Sequence, residues 1–446
     1  MYGCCCLWLL VLATAASAMA DPPQQIHVSC QSPGSATVMW ATNASTASSM
    51  LWIGTARGGP YASARAGTQE EFVNLGDEMR AEWFHTAVAP GLAPRTVYYY
   101  RVGDPAAGVS DEFAFQALPA PGDAAPMTFL AIADFGLQND RSMAALTRRV
   151  QGHPDAYNFL IHAGDEAYDL FERDGRQGDD FMNLLQPVAA NIVYQIGAGN
   201  HEVDPLGLFH DYKNRYAMPQ KESAENMWWS LDVGLVHTIM LSSEHWFDPV
   251  AVPFLEVQLD WLVADLKAAV ANRARVPWIL VFIHRPMYCS NAWNGTTTFE
   301  SDCAADAIRM RSGFDLLGRH VGALEPILLE YGVDLFMCGH EHSFETTWPV
   351  ADGVVRNGTA DPDNPYNNPG GLPNIVAGNA GNREDYDPFS LGPQGSWSAF
   401  RRDIYGFGVF TVHNATHLTY EAVDDANDEV FYTMELVRTH HEAYAL

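Results

Sequence analysis

Positive charge is what this 446-residue chain has least of: Lys and Arg number 25 against 54 Asp and Glu, for a net charge of −29. Such a chain is a poor general binder of nucleic acid, which needs clustered cations to neutralise phosphates. Its sixteen histidines do not change this, since protonating all of them leaves the chain anionic. A substrate that is itself an anion would need a local reversal of the field. Long apolar runs are also missing. Leu7 to Ala13 is too short to span a bilayer, and no other stretch approaches the ~18 uninterrupted apolar residues of a spanning helix. Cysteine is sparse, with three of the seven inside the first twenty residues, so a disulfide-stapled miniature scaffold is excluded. There is no internal repeat at a fixed period.

Hydrophobic residues make up 48% and charged residues 18%, enough for a large packed core with one large and one small domain. Residues 1–20 read as a signal peptide. The apolar run is followed by the small-residue cleavage sites Ala16-Ser17-Ala18 and Ala18-Met19-Ala20, although a positive leading region is absent. The expectation is a secreted or lumenal (lysosome- or vacuole-like) protein with no membrane anchor and no nucleic-acid scaffold. Its oligomeric state is not legible. Beyond the leader, Cys289 and Cys303 bracket a Ser/Asn/Thr/Gly-rich loop and form the candidate disulfide, one of three connectivities open to four cysteines. Cys338 lies in an apolar run and reads as a buried thiol. Asn43, Asn294, Asn357 and Asn414 head Asn-X-Ser/Thr sequons, the N-glycosylation candidates.

Residues 22–118 read as all-β: short β-rich runs at Ile26–Ser29, Thr37–Trp40, Met50–Gly54, Thr96–Val102 and Glu112–Phe115 alternate with turn residues. The stretch from Gly91 to Gly103 resembles the late strands of a fibronectin type III sandwich. A Pro/Ala/Gly segment, Leu118 to Pro126, reads as a linker. In residues 127–446, apolar runs of strand length (Thr128–Ala133, Tyr157–Ala163, Ile192–Ala198, Val236–Leu241, Trp278–Ile283, Val333–Cys338) alternate with helical patterns. The helices expected are Met143–Val150, Leu255–Ala271 and Gly322–Tyr331. This alternation argues an α/β domain with covered sheets. Beyond about Leu372 the pattern is mixed.

Nearly every strand of that domain runs into a metal-competent residue: Asp134-Phe135-Gly136, Gly164-Asp165-Glu166-Ala167-Tyr168, Gly199-Asn200-His201-Glu202, Val281-Phe282-Ile283-His284 and Gly339-His340-Glu341-His342. Ligands of open α/β sheets bind at the carboxyl ends of strands, so these segments converge on one rim. Asp134, Asp165, Tyr168, Asn200, His284, His340 and His342 are too many donors for one ion of roughly four to six ligands, and suit two ions sharing a carboxylate. Glu202 and Glu341 read as supports of those ligands. His162 points away from the rim by strand alternation.

These five motifs, in this order, resemble the calcineurin-like metallophosphoesterases, and the tyrosine three residues after Asp165 narrows the resemblance to the larger, two-domain purple acid phosphatases. The segments Trp397–Arg401 and Tyr405–Gly408 resemble that family's C-terminal part (about 372–440). The resemblance implies a four-layer α/β/β/α domain preceded by the fibronectin type III-like sandwich. It implies that Asp134, Tyr168 and His342 hold Fe(III), that Asn200, His284 and His340 hold Zn, Mn or Fe as the divalent ion, and that Asp165 bridges. Hard anionic oxygens for the trivalent ion and imidazole for the divalent one make chemical sense. The implied reaction is acid hydrolysis of phosphate monoesters, on a small molecule or a phosphoprotein, by in-line attack of a metal-bound hydroxide, with His201 as acid. The centre would be cationic on an anionic protein. Plant members carry further histidines after the His284 strand. The loop Cys289–Gly295 has none, so the second acid/base residue of the 289–303 loop is left open, with His245 the candidate substrate contact. The rival reading is a metallophosphodiesterase or nucleotide pyrophosphatase with two divalent ions.

Overall fold

Runs such as Phe159–Ala163 and Trp278–Phe282 are buried at every position, which only a strand covered on both faces explains. The computed structural model describes residues 21–291, 302–389 and 394–444, so the leader segment 1–20 and the Asn294 sequon lie outside the described residues. Two large sheets organise it. In the ten-stranded sheet, Met127–Ile132, Phe159–Ala163 and Val193–Gly197 run parallel, and three antiparallel C-terminal strands (Gly406–Val412, His417–Asp424, Val430–Val437) extend one side. The seven-stranded sheet is built around parallel Val236–Met240, Trp278–Phe282, Leu335–Cys338 and Asn374–Ala377. The sheets pack face to face through stacked and edge-on rings: Phe129 lies 4.4 Å from Phe159 and 6.4 Å from Phe282, and Phe282 lies 6.1 Å from Phe410. Met143–Val150 and Arg176–Ala189 serve the first sheet, and Leu255–Ala271 and Leu324–Glu330 the second, giving the four α/β/β/α layers.

Two of the three expected helices have the expected bounds, and the third is shorter, at Leu324–Glu330. The helix Arg176–Ala189 is not among those expected; it buries Phe181, Met182, Leu185, Val188 and Ala189 on one face and carries Pro187 in its last turn. The sandwich holds an unforeseen ten-residue strand, Ala81–Pro90, whose Glu82 and His85 break its β signature.

The linker Leu118–Pro126 does not separate the two parts in space. Strand Gln24–Ser29 of the sandwich pairs in parallel with Val193–Gly197 of the α/β part, Val28 opposite Val193, so the first sheet runs through both. A buried cation rivets the same junction. Arg215, 1% exposed, donates to Gln25 Oε1 (2.9 Å) and meets Glu82 (3.2 Å), Asp179 (3.0 Å) and Asp211 (3.3 Å). Removing one partner of such a cluster strands the others without charge compensation. Arg215→Leu is expected to cost about 3–5 kcal/mol in a urea denaturation curve. A loss under about 1 kcal/mol would show that the cluster is not a structural rivet.

Candidate metal centre

Each strand that points at the rim stops where its backbone must turn, and the turn residue is a donor. Asp134, Asp165, Tyr168 and His340 hold φ of 58°, 55°, 51° and 71°, a region that L-residues rarely enter and that costs of order 1–3 kcal/mol each. A fold keeps such strain where function repays it. Gly199 and Gly339 flank these turns without side chains, and a Cβ on either would collide with the carboxylate of Asp165 or Asp134.

All seven sequence-predicted donors meet here, in two groups. In the first, Tyr168 Oη lies 3.3 Å from Asp134 Oδ1 and 2.9 Å from His342 Nε2, and His342 Nε2 lies 3.4 Å from Asp134 Oδ1. In the second, His284 Nε2 lies 3.0 Å from Asp165 Oδ2, 3.1 Å from Asn200 Oδ1 and 3.2 Å from His340 Nδ1. Donors at about 2.0–2.2 Å from one ion stand about 3 Å from one another, the spacing seen in both groups.

The ring tautomers point the same way. His284 Nδ1 faces the Ala163 carbonyl at 3.1 Å, and His342 Nδ1 faces the Asp385 carbonyl at 3.1 Å. A carbonyl only accepts, so in the neutral ring Nδ1 carries the hydrogen and Nε2 offers its lone pair inward. Nε2 of His284 then faces a carboxylate and an amide oxygen, an assembly of lone pairs that calls for a cation. The electrostatics agree. Burial opposes charge on both rings, yet the Asp165 carboxylate pushes His284 up to about 9, and Asp134 does the same for His342. Burial raises Asp165 itself, but the facing His284 and His201 more than reverse this and hold it well below the carboxylate range. Tyr168 is driven far above the usual phenol value by burial and by the Asp134 and Asp165 carboxylates. The donor set fits two cations.

A cleft of about 350 Å³ opens over the donors, lined by Asp165, Asn200, His201, His340, His342 and Glu384 among others. His201 Nδ1 donates to Asp169 Oδ1 (2.6 Å), and Asp169 Oδ2 accepts from Arg383 Nη2 (2.9 Å). Its Nε2 lies 3.6 Å from Glu384 and 3.9 Å from Asp165. Glu202 is buried beneath and accepts the backbone N–H groups of Gly199 (2.6 Å), Asp165 (2.9 Å) and Glu166 (2.9 Å), tying two donor loops together. On the far side, His340 Nε2 lies 2.9 Å from Arg285 and 3.6 Å from Asp306. Arg285 is clamped in turn by Glu244 (2.9 Å) and Asp306.

Asp169, Arg383, Glu384, Arg285 and Asp306 escaped the sequence reading. Asp169 and Arg285 could have been found, since each directly follows a donor; the other three gave no local signal. His245 corrects an expectation. It is absent from this cleft: it is 3% exposed, its Nδ1 faces the Ser242 carbonyl at 3.3 Å, and its ring lies edge-on to Trp228 on a separate cavity. Burial pushes it down to about 4. Of the 289–303 loop, residues 292–301 lie outside the described residues. Cys289 and Cys303 are joined, and Cys303 reaches the cleft wall. Cys30 and Cys338 are buried free thiols. His162 is turned into the core against Tyr194 Oη (2.6 Å).

Family models match along most of the chain: purple acid phosphatase N-terminal domain over 23–117, calcineurin-like phosphoesterase over 127–344, and iron/zinc purple acid phosphatase-like protein C over 371–431. Human acid phosphatase type 7 is 36% identical over 432 residues, covering 96% of this chain and 94% of that protein. The chain belongs to the purple acid phosphatase family. Purple acid phosphatase 18 of Arabidopsis thaliana is 29% identical, covering 91% of this chain and 82% of its own. The purple acid phosphatase PPD1 from yellow lupin seeds has the same fold, with a TM-score of 0.77 at 21% identity, over 96% of this chain and 76% of that one. Membership of the purple acid phosphatases makes the chain a binuclear metallophosphoesterase, a hydrolase of phosphate esters.

Proposed function

We propose that this purple acid phosphatase is an acid phosphatase for phosphate monoesters, with Fe(III) held by Asp134, Tyr168 and His342 and a Zn, Mn or Fe divalent ion held by Asn200, His284 and His340. Asp165 would bridge the two ions; its Oδ2 lies 3.0 Å from His284 Nε2, and its Oδ1 accepts the His201 backbone N–H at 2.9 Å. The observation that carries the reading is the two donor groups, in which His284 and His342 turn lone pairs inward and one of which contains the Tyr168 phenol. When bound, the two ions supply an activated water and offset charge on the phosphoryl group. The chain's own residues do the rest. The cleft, which His201 and Glu384 help to line, admits the anion over the donors. His201 is oriented by Asp169, which fixes Nδ1–H and leaves Nε2 to hand a proton to the departing alkoxide. Arg383 holds Asp169 in place through an ion pair of 2.9 Å.

Tyr168 within the first donor group favours this reading over a two-divalent-ion phosphodiesterase. Metal analysis of the purified chain, with rates on para-nitrophenyl phosphate and bis(para-nitrophenyl) phosphate, tests it. One iron and one divalent ion per chain and faster monoester turnover are expected. Two divalent ions and faster diester turnover would overturn it. Chelation should abolish activity, and iron with zinc should restore it.

The reading extends to a secreted or lumenal glycoprotein. The apolar leader supports it, as do the exposed side chains of Asn43, Asn357 and Asn414. No helix among the described residues is long and apolar enough to cross a membrane.

A further inference from the structure

A second cavity of about 600 Å³ opens beside the segment that leaves His201, and it shares no lining residue with the cleft over the metal donors. Its volume falls in the range of small-molecule sites. Its walls are Leu208, Met227, Trp228, Val250, Phe254 and Val257. Four of these, Leu208, Val250, Phe254 and Val257, are 45–54% exposed, a cluster of large apolar side chains around one opening on a strongly acidic protein. Apolar patches gathered at a concavity are a mark of binding.

Among the polar residues that line the cavity, His245 is the buried one that faces the apolar walls. His245 is 3% exposed and lines the cavity. Its Nδ1 faces a carbonyl, that of Ser242, so Nδ1 carries the hydrogen. Burial pushes the ring to about 4, which keeps it neutral. Nε2 is then an acceptor, and it has no hydrogen-bond partner among the described residues. At the rim, the Lys213 ammonium is paired with Glu225 at 2.7 Å, and Glu222 adds a further carboxylate. The opening therefore offers no free cation to an anion, and a phosphate ester gains nothing there.

We propose that this cavity is a binding site for a neutral, ring-bearing apolar alcohol, whose hydroxyl donates to His245 Nε2 while its ring packs against Trp228 and Phe254. The apolar walls supply affinity and the buried acceptor on His245 supplies orientation. Neutral ligands without a donor would leave Nε2 unpaired in a dry pocket, which costs a hydrogen bond's worth of affinity.

Calorimetric titration of the full-length, metal-loaded protein with 1-naphthol and 1-methoxynaphthalene tests this. One naphthol is expected per chain, with the ether at least about tenfold weaker, as one hydrogen bond is worth. Phe254→Asp and Val257→Asp change exposed residues. Each should weaken naphthol binding by about tenfold or more while hydrolysis of para-nitrophenyl phosphate stays at the wild-type rate. His245→Phe, if its circular dichroism is native, should bind the two probes alike. No naphthol binding, equal binding of alcohol and ether to the wild type, or undiminished binding in Phe254→Asp would each overturn the proposal, whatever His245→Phe does.

Discussion

Tyr168→Phe is expected to turn a violet or pink protein colourless. The Tyr168 phenol is buried completely, and burial together with the Asp134 and Asp165 carboxylates holds its proton firmly. Only a strongly charged cation against the oxygen removes it, and Fe(III) is such a cation. A phenolate on Fe(III) would donate charge to the ion and give the visible band, which no other donor in the set would supply. Phenylalanine keeps the ring, so the packing on His201 (centroids 4.3 Å apart) and His342 (5.8 Å) is retained. Asp134 and His342 remain, so some iron stays bound. The check is an absorption spectrum alongside metal content. A colourless wild type with full activity and two zinc or manganese ions would sink the iron assignment and make Tyr168 a bystander.

His201→Ala is expected to lower kcat by about 10²–10⁴-fold, the usual worth of general acid help, with metal content unchanged. The metal sites should survive because the hydrogen bond of residue 201 to Asp165 comes from its backbone N–H, which alanine keeps; only the longer Nε2 approach of 3.9 Å is lost. The pH profile carries a second signature. Burial works against the charged ring, but Asp165, Asp169 and Glu384 overcome it and push the free site up to about 11. Cations nearby oppose that shift and move the loss of the proton to lower pH. A donor with a raised pKa is competent below it and fails as pH rises through it, so the wild type should show an alkaline fall in kcat that His201→Ala lacks. Loss of both ions in the variant would instead make His201 a ligand.

Three of the donors were legible because each stands where an apolar run ends. Asp134 comes just after Met127–Ile132, Asp165 just after Phe159–Ala163, and His284 just after Trp278–Phe282, so strand periodicity places all three on one rim. What supports them was hidden. Arg383 reaches Asp169 across 214 residues, and Asp306 reaches Arg285 from a helix, Asp302–Ser312, that the sequence pattern did not reveal. His245 misled because it follows a polar Ser-Ser-Glu stretch. Ser243 and Glu244 do turn toward Arg285 and the centre, whereas the next side chain turns the other way. The continuous sheet was invisible for a related reason. A Pro-rich linker marks a break in the chain and says nothing of which strands pair across it.

That shared sheet also bears on how the chain is made. Cys30, at the end of the first strand, holds Gln195 through its backbone N–H, a partner 165 residues further along. During synthesis the sandwich is complete long before the Val193–Gly197 strand emerges. Until then the edge of Gln24–Ser29 stands open, a ready template for pairing with another chain. The growing chain therefore carries an edge that the finished protein covers, open from the completion of the sandwich near residue 118 until Val193–Gly197 arrives, and a chaperone that shields that strand over this interval would protect it from pairing with another chain.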